Sequence, residues 1–450
     1  MLKNGKYPDE LREVAGSMRL GRKTADNNGE APPECVAVLG LGYVGIPLAL
    51  RAVQVGYRVV GFDVDDHKVS NLSLGRSHVG DVANDELAAA LETGRFLPTT
   101  HSRDLVGFDV AVITVPTPLT DGSPDLSSIE SAAWMIAEFV RPECTVILES
   151  TSYPGTTEEV LGPILEAGSG LRAGRDFHLG FSPERIDPGN RAWTFTNTPK
   201  IVSGVDEVST KAVQAFYDNL VDRTVPVSGT REAELCKLLE NTFRYVNIAL
   251  VNELAVHAHG LGINIWEALS AASTKPFGFM PFFPGPGVGG HCLPVDPSYL
   301  SWKIERDLGV TSRFIQASNE VNAMMPAYVV ERVCSGLAKR GLPIEGAKIL
   351  VLGLAYKKNS EDVRGTPAVP VVTGLLACGA AVRVHDPHVG THPIDRLAPR
   401  VDLAAEELLA ADAVVLVTDH DDVDYELVSL HSSYVFDARN RLSGERVEAL

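Results

Sequence analysis

The residues best equipped for chemistry gather in one glycine-rich loop. The segment GVGGHCLPVDP (287–297) sets Cys292 behind Gly287, Gly289 and Gly290 and ahead of Asp296. Glycines permit positive φ and a close approach of backbone to ligand. A structural thiol is ordinarily packed among large apolar side chains, so this setting favours a nucleophile over a core cysteine. On a long helical pattern, Lys237 and Asn241 stand at i and i+4 and share a face. Leu238 and Leu239 between them are expected to point into a core, and the polar stripe continues to Arg244. Such a stripe is also what a solvated helix face looks like. FSPERIDPGN (181–190) carries Glu184, Arg185 and Asp187 between prolines, a rigid turn that alone would be an ordinary loop. Charged residues held in such a turn suggest a site, and a thiol in a ligand-wrapping loop is a candidate nucleophile.

A second group of residues could cradle phosphates. VLGLGYVG (38–45) contains Gly40, Gly42 and Gly45 in the GxGxxG pattern, with Tyr43 and Val44 between the last two. It follows a short apolar run and opens a helix-length segment. The first glycine allows the tight turn, the second a pyrophosphate, and the third the packing of helix on strand. Asp63 ends the next strand, YRVVGFD (57–63), where a carboxylate can accept from ribose hydroxyls. A carboxylate there would repel a 2′-phosphate, which favours NAD over NADP. VPTP (115–118), with Pro116 and Thr117, and EST (149–151), with Ser150 and Thr151, end two later strands. Ligands of such sheets lie at the carboxyl ends of strands. These residues are therefore candidates for the nicotinamide half, although the prolines could equally serve only to stop a strand.

The elements that must position these groups can be read from periodicity. CVAVLG, YRVVGFD, DVAVITVP, CTVILES and PKIVSG read as buried strands, with helical stretches such as 85–94 and 126–140 between them. That alternation implies a parallel sheet wound on both faces. Residues 231–260 form one long helical pattern closed by Gly260, and strand–helix alternation returns from about 346 with KILVLGLAY. The expected architecture is α/β, with two doubly wound Rossmann-like domains joined by a helical middle domain with one long helix. The divisions are a disordered tail (1–33), a cofactor domain (34–228), a helical central domain (229–328) and a second Rossmann-like domain (329–450). KILVLGLAY lacks GxGxxG, so a second dinucleotide is not expected there.

Composition narrows the partners. The chain has 450 residues and a net charge of −18, from 40 basic and 58 acidic side chains. That charge disfavours nucleic acid and anionic membranes. No apolar stretch reaches membrane-spanning length and the N-terminus lacks a signal-peptide pattern, so a cytoplasmic protein is expected. None of the six cysteines forms a CxxC pair, which fits reduced thiols. His257 and His259 point to different helix faces, and His67, His78 and His101 lack ligand-spaced partners, so no metal is expected.

In combination, GLGYVG, SPER, KLLENTFR, GxGGHCLPVDP, AYKKNSEDVRG and FDAR resemble the UDP-sugar 6-dehydrogenase family over nearly all of 35–445. SPERIDPGN, NTFR and FMPFFPGPG look more like its branch acting on UDP-N-acetylhexosamines than the UDP-glucose branch, and within that branch UDP-N-acetylglucosamine is favoured over UDP-N-acetylmannosamine. The resemblance implies oxidation of a C6 alcohol to a carboxylate with two NAD per sugar, in a polysaccharide pathway. It implies a thiohemiacetal and then a thioester on Cys292. Lys237 and Asn241 would stabilise the oxyanion, Glu184 and Asp296 would order or activate water, and the lysine would lower the thiol pKa. It also implies cofactor contacts from Lys68 and Arg364, and substrate contacts from Arg185, Arg244, Phe283, Gly289, Lys357 and Arg439. A homodimer or higher homo-oligomer pairing along the long helix is implied as well. Two other readings stay open: a two-electron hydroxyacid dehydrogenase, which needs no Cys292, and a non-catalytic NAD-binding protein.

Overall fold

The computed structural model describes residues 35–187, 190 and 192–450; the tail expected at 1–33 lies outside them. Its first sheet is built from short, β-branched runs that are buried on both faces. Val36 and Val38 pack with Leu48 and Ala49 on one side, while Ala37 and Leu39 pack with Ile129 and Ala133 on the other. Strands buried in this way belong inside a sheet covered by helices. Eight strands line up in the order Thr224–Pro226, Lys200–Gly204, His178–Phe181, Thr145–Leu148, Val110–Ile113, Cys35–Leu39, Arg58–Phe62, Phe96–Thr99.

All neighbours run parallel except one pair. His178–Phe181 and Lys200–Gly204 are antiparallel, through Gly180 opposite Gly204 and Phe181 opposite Ser203. The all-parallel expectation is corrected here for a physical reason. A parallel pair needs a crossover, usually a helix, and the described residues between these two strands form none; they are the loop that carries Glu184. Cys35–Leu39 is flanked by Arg58–Phe62 on one side and Val110–Ile113 on the other. The connections diverge there, which opens a crevice at the strands' carboxyl ends.

Two long helices follow. Thr230–Gly260 has 31 residues and Arg313–Lys339 has 27. Gly260 is the last helical residue, but the left-handed φ, 71°, falls at Gly262. The helices are joined by a buried hydrogen bond from Asn252 Nδ2 to Asn322 Oδ1, 2.9 Å. The division expected at 328/329 falls inside the second helix, so the helical region and the last α/β unit share one continuous element. That unit has five parallel strands in the order Ala381–His385, Lys348–Leu352, Ala413–Leu416, Val435–Asp437, Val447–Ala449.

Candidate active site

The glycine turn sits at the crevice. Gly40 has φ 98°, and a side chain there would meet the Thr114 carbonyl oxygen at 2.7 Å. A Cβ on Gly45 would fall onto the Gly40 carbonyl, whereas one on Gly42 would meet nothing within 4 Å. Two of the three glycines are thus required by the protein's own packing. The third leaves open space above the backbone, as a pyrophosphate needs, and the helix Gly45–Gln54 begins beside it. Asp63 is fixed against this turn: Oδ2 accepts from Leu41 N–H and Lys68 Nζ, each at 2.9 Å. The donor and acceptor set therefore fits a dinucleotide, with Lys68 held beside the turn by Asp63.

The strand ends beyond are tied together. Ser150 Oγ donates to the Val115 carbonyl at 2.8 Å, and Tyr299 OH to that of Pro118 at 3.0 Å. Thr117 is buried, Thr151 is half-buried and Pro116 is exposed. Arg364 comes from the last α/β unit, forked onto Asp362, and its guanidinium lies 5.8 Å from the Tyr43 ring centroid. It thus reaches across to the glycine turn. His78, considered in the sequence only as a metal ligand, places Nε2 2.9 Å from the Leu41 carbonyl in the same turn; no spacing rule would have found it.

A second group of side chains meets on the long helix. Lys237 Nζ donates to the Glu184 carbonyl at 2.8 Å and to Glu184 Oε2 at 3.2 Å. Asn241 Nδ2 donates to Asp296 Oδ2. The Cys292 carbonyl accepts from the N–H groups of Val295 (3.2 Å) and Asp296 (2.8 Å), the turn that opens the helix Asp296–Leu308. Lys237, Asn241, Glu184, Asp296 and Cys292 are therefore brought together. Leu238 is buried as expected, but Leu239 is 59% exposed and faces away from the core.

The charges interact strongly. Burial works against a charged Lys237, but Glu184, Asp296 and Cys292 outweigh it and hold its pKa well above the ordinary lysine value. Burial lifts the Asp296 carboxyl to about 6, against the pull of Lys237 and Asn241. The Cys292 side chain opens to the cleft, yet the protein crowded around it and the Asp296 carboxylate push its thiol up to about 11. Lys237 does pull that value down, as expected from the sequence, but it is outweighed. At neutral pH that value leaves the sulfur as a thiol.

The loop glycines serve a different purpose from the one expected. A Cβ on Gly289 would meet Tyr356 Cβ at 2.7 Å and the Gly365 carbonyl at 2.8 Å. Gly290, at φ 90°, donates its N–H to the Arg364 carbonyl at 2.9 Å. Their small size lets the last α/β unit press onto the Cys292 loop, so the close approach expected of Gly289 toward a ligand is made to protein. Phe283 is 54% exposed and stacks on Trp266, with centroids 6.2 Å apart. Arg439 borders the same loop beside Gly285, with Nε donating to the Val417 carbonyl at 2.7 Å. Lys357 pairs with Asp187 at 2.7 Å, and Arg244 is exposed with its charge also felt at Asp187. Arg185 departs from the expectation of a substrate contact: its guanidinium donates to the Pro199 carbonyl (2.6 Å) and to Glu240.

Sequence reasoning missed Glu234. It is fully buried one turn before Lys237 and accepts from Gly155 N–H, Thr157 N–H (2.9 Å) and Thr157 Oγ1 (2.7 Å). Burial, countered in part by these donors, raises its pKa to about 7. An acid on the same helix face as Ala233 and Leu238 was the available signal. Among the described residues, His388, His420 and Asp422 lie close enough to share an ion. However, His420 Nδ1 accepts from Asn359 N–H (2.9 Å) and its Nε2 faces Asp386 (3.0 Å). Neither ring nitrogen has a lone pair free for a metal.

A doubly wound sheet with an NAD-type turn, facing a thiol, a lysine and carboxylates, defines a dinucleotide-dependent oxidoreductase. The chain matches the NAD binding domain of the UDP-glucose/GDP-mannose dehydrogenase family over 34–221, its central domain over 231–324 and its UDP binding domain over 350–444. It belongs to that family and is an NAD-dependent UDP-sugar dehydrogenase. It is 38% identical over 412 residues to UDP-N-acetyl-D-mannosamine dehydrogenase of Pyrococcus horikoshii, covering 90% of this chain and 95% of that one. It is 40% identical over 358 residues to UDP-N-acetyl-D-glucosamine 6-dehydrogenase of Pseudomonas aeruginosa, covering 79% and 83%. The solved structure of the UDP-D-ManNAc dehydrogenase of P. horikoshii superposes with a TM-score of 0.84 at 36% identity, covering 92% of this chain and 98% of that one. Among the described residues no helix is long and apolar enough to cross a membrane.

Proposed function

We propose that the enzyme oxidises the C6 alcohol of UDP-N-acetylglucosamine to the uronic acid, for polysaccharide biosynthesis, through a covalent intermediate on Cys292. The observation that supports this is the meeting of Lys237 and Asn241 with Glu184 and Asp296 in the turn of Cys292. Bound NAD supplies the hydride acceptor, one for each two-electron step. Gly42, Asp63, Lys68 and Arg364 border its site, with Ser150 and Thr151 at the nicotinamide end. Lys237 faces the oxygen at C6 and stabilises the charge left there as the alcohol proton passes to an ordered water and C6 becomes an aldehyde. Asp296, with a carboxyl near 6, takes the thiol proton; the sulfur then bonds to the C6 aldehyde carbon and forms a thiohemiacetal. Oxidation of that adduct leaves a thioester. Water, relieved of a proton by Asp296 or Glu184, cleaves it to the acid and regenerates the thiol. Lys357 and Arg439 hold the phosphate end, and Phe283 lies along the sugar-nucleotide loop.

The second reading, UDP-N-acetylmannosamine, is favoured by the longer match to the P. horikoshii protein. Counting NADH on a limiting amount of each sugar separates the two. Two NADH from UDP-N-acetylglucosamine and little from the others is the expected result. Cys292→Ser should abolish formation of the acid and leave NAD binding intact, and acid formation by that variant would remove the covalent step.

We also propose two-fold pairing along the long helix. Leu235, Leu239, Phe243, Leu250 and Leu254 form an exposed apolar stripe on it, a pattern that marks interaction surfaces. Sedimentation should give twice the monomer mass, and Phe243→Glu should halve it. A wild-type chain sedimenting as a monomer would refute the pairing.

A further inference from the structure

Behind the reactive centre lies an ion pair that the chemistry above does not use. Lys200, which begins the strand Lys200–Gly204, and Glu149, just past the strand Thr145–Leu148, have side chains only 6% and 0% exposed. Lys200 Nζ donates to Glu149 Oε1 and, at 3.0 Å, to the Pro183 carbonyl. Tyr217 OH donates to Glu149 Oε2 at 2.8 Å, and its ring lies 5.0 Å from the Lys200 ammonium. The two strands are not neighbours, because His178–Phe181 runs between them. The pair therefore reaches across the end of that strand and grips the loop leaving it. One residue further along, Lys237 holds the Glu184 carbonyl and carboxylate. The Pro183–Glu184 stretch is thus clamped by two ammonium groups, one from the sheet and one from the long helix. Glu149 also directly precedes Ser150 and Thr151.

Stability is a weak reason for such a pair, since apolar replacements of buried ion pairs are often neutral or stabilising. Geometry is a better one. We infer that Lys200 is a positioning residue for the reaction. Through the Pro183 carbonyl it fixes Glu184, and so the place of Lys237 beside Cys292. Through Glu149 it locks that arrangement to the Ser150–Thr151 segment at the cofactor end. The inference rests on the roles given above to Lys237 and Cys292, and Lys200 acts only through its neighbours.

The test uses the full chain with Lys200→Met, Lys200→Arg and the double variant Lys200→Met/Glu149→Leu, which leaves no buried unpaired carboxylate. Two readouts are taken: kcat with KM for each substrate, and the iodoacetamide alkylation rate of the Cys292 peptide at one fixed pH. In Lys200→Met, kcat should fall by about tenfold or more, as small misplacements near the chemistry do, with each KM within about threefold. Cys292 alkylation should slow as Lys237 moves away from the sulfur. Lys200→Arg should restore both readouts. The double variant should melt near wild type and keep the kcat loss. Wild-type kcat in a well-folded double variant would overturn the inference, as would unchanged alkylation across the series. Alkylation needs no sugar, so it still decides the matter if no UDP-sugar is turned over and the functional reading itself fails.

Discussion

In the N-terminal unit the strand Cys35–Leu39 runs into Gly40, at φ 98°, whose N–H donates to the Phe62 carbonyl at 2.8 Å. In the C-terminal unit Lys348–Leu352 runs into Gly353, at φ 88°, whose N–H donates to the His385 carbonyl at 2.8 Å. Each second strand is followed directly by an aspartate, and each aspartate accepts a turn N–H: Asp63 from Leu41, Asp386 from Leu354. The frames coincide, but what fills them differs. After Gly40 a helix begins at Gly45, whereas after Gly353 the next helix waits until Ala368. Asp386 also takes the N–H groups of Ala355, His388 and Val389 and is sealed by His420 at 3.0 Å. The second turn gives two of its N–H groups, Leu354 and Ala355, to a buried carboxylate, where the first gives only that of Leu41 and leaves open space above Gly42. Under the proposed function, a phosphate at the C-terminal unit is met by side-chain cations, for which Lys357 and Arg439 are the candidates. One backbone plan thus offers two kinds of anion site, depending on how many of the turn's N–H groups an internal carboxylate already takes.

The largest expected effect separates glycines that serve packing from the one proposed to face a ligand. Gly45→Ala drives a methyl onto the Gly40 carbonyl, so loss of a folded cofactor domain, or a melting temperature many degrees lower, is expected. Gly42→Ala has open space around it. It should melt as wild type but bind NAD about tenfold more weakly, the order of one charge-assisted hydrogen bond. Wild-type NAD affinity in Gly42→Ala would break the distinction between the two turns.

The paired aspartates give the next test. Asp386→Asn leaves some of five donors without an acceptor, a cost of about 1–3 kcal/mol, so its melting temperature should fall by several degrees. Burial opposes the Asp386 charge, but His420 and the backbone N–H groups prevail and hold its pKa well below the usual carboxylate range. A depressed carboxyl stabilises the fold above the unfolded-state pKa, about 3.9, and loses that contribution as pH falls through its folded value. The gap between Asp386→Asn and wild type should thus be widest near neutral pH and narrow below about pH 4. Asp63→Asn should cost less stability and show itself in NAD affinity. Equal melting losses in both variants, with NAD unaffected, would erase the contrast.

Much of this was legible from local pattern. The buried strands, the long helix and the glycine turn follow from apolar runs, periodicity and glycine spacing, and the grouping of Lys237 and Asn241 follows from a four-residue step. What escaped depends on distant packing. That Gly289 makes room for Tyr356, that Arg185 turns to Glu240, and that the sheet reverses at His178–Phe181 are set by elements far apart in the chain. The Cys292 thiol is the clearest case. A neighbouring lysine argues for a low pKa, but the sum over burial and two carboxylates has the opposite sign, and no linear spacing reveals that sum. Asp386 was unread for a related reason: AVRVHDP looks like any strand end until the turn N–H groups fold over its carboxylate.

The smallest expected effect is also the most direct probe of the C-terminal turn. Lys357 and Asp187 form an ion pair with side chains 32% and 48% exposed, a setting in which such pairs contribute about 0–1 kcal/mol. Lys357→Ala should therefore shift the melting temperature by no more than a few degrees. If side-chain cations replace backbone N–H groups as the phosphate holders, KM for the UDP-sugar should rise by roughly tenfold, the order of one lost charge-assisted hydrogen bond. NAD affinity should stay unchanged, since Lys357 pairs with Asp187 and makes no contact with the glycine turn like that of Arg364. A rise in KM that shrinks as salt is added would mark the contact as electrostatic. An unchanged KM would mean that the phosphates rest on the turn itself. Asp386 would then have to release an N–H group on binding, and the difference between the two turns would be one of state rather than of design.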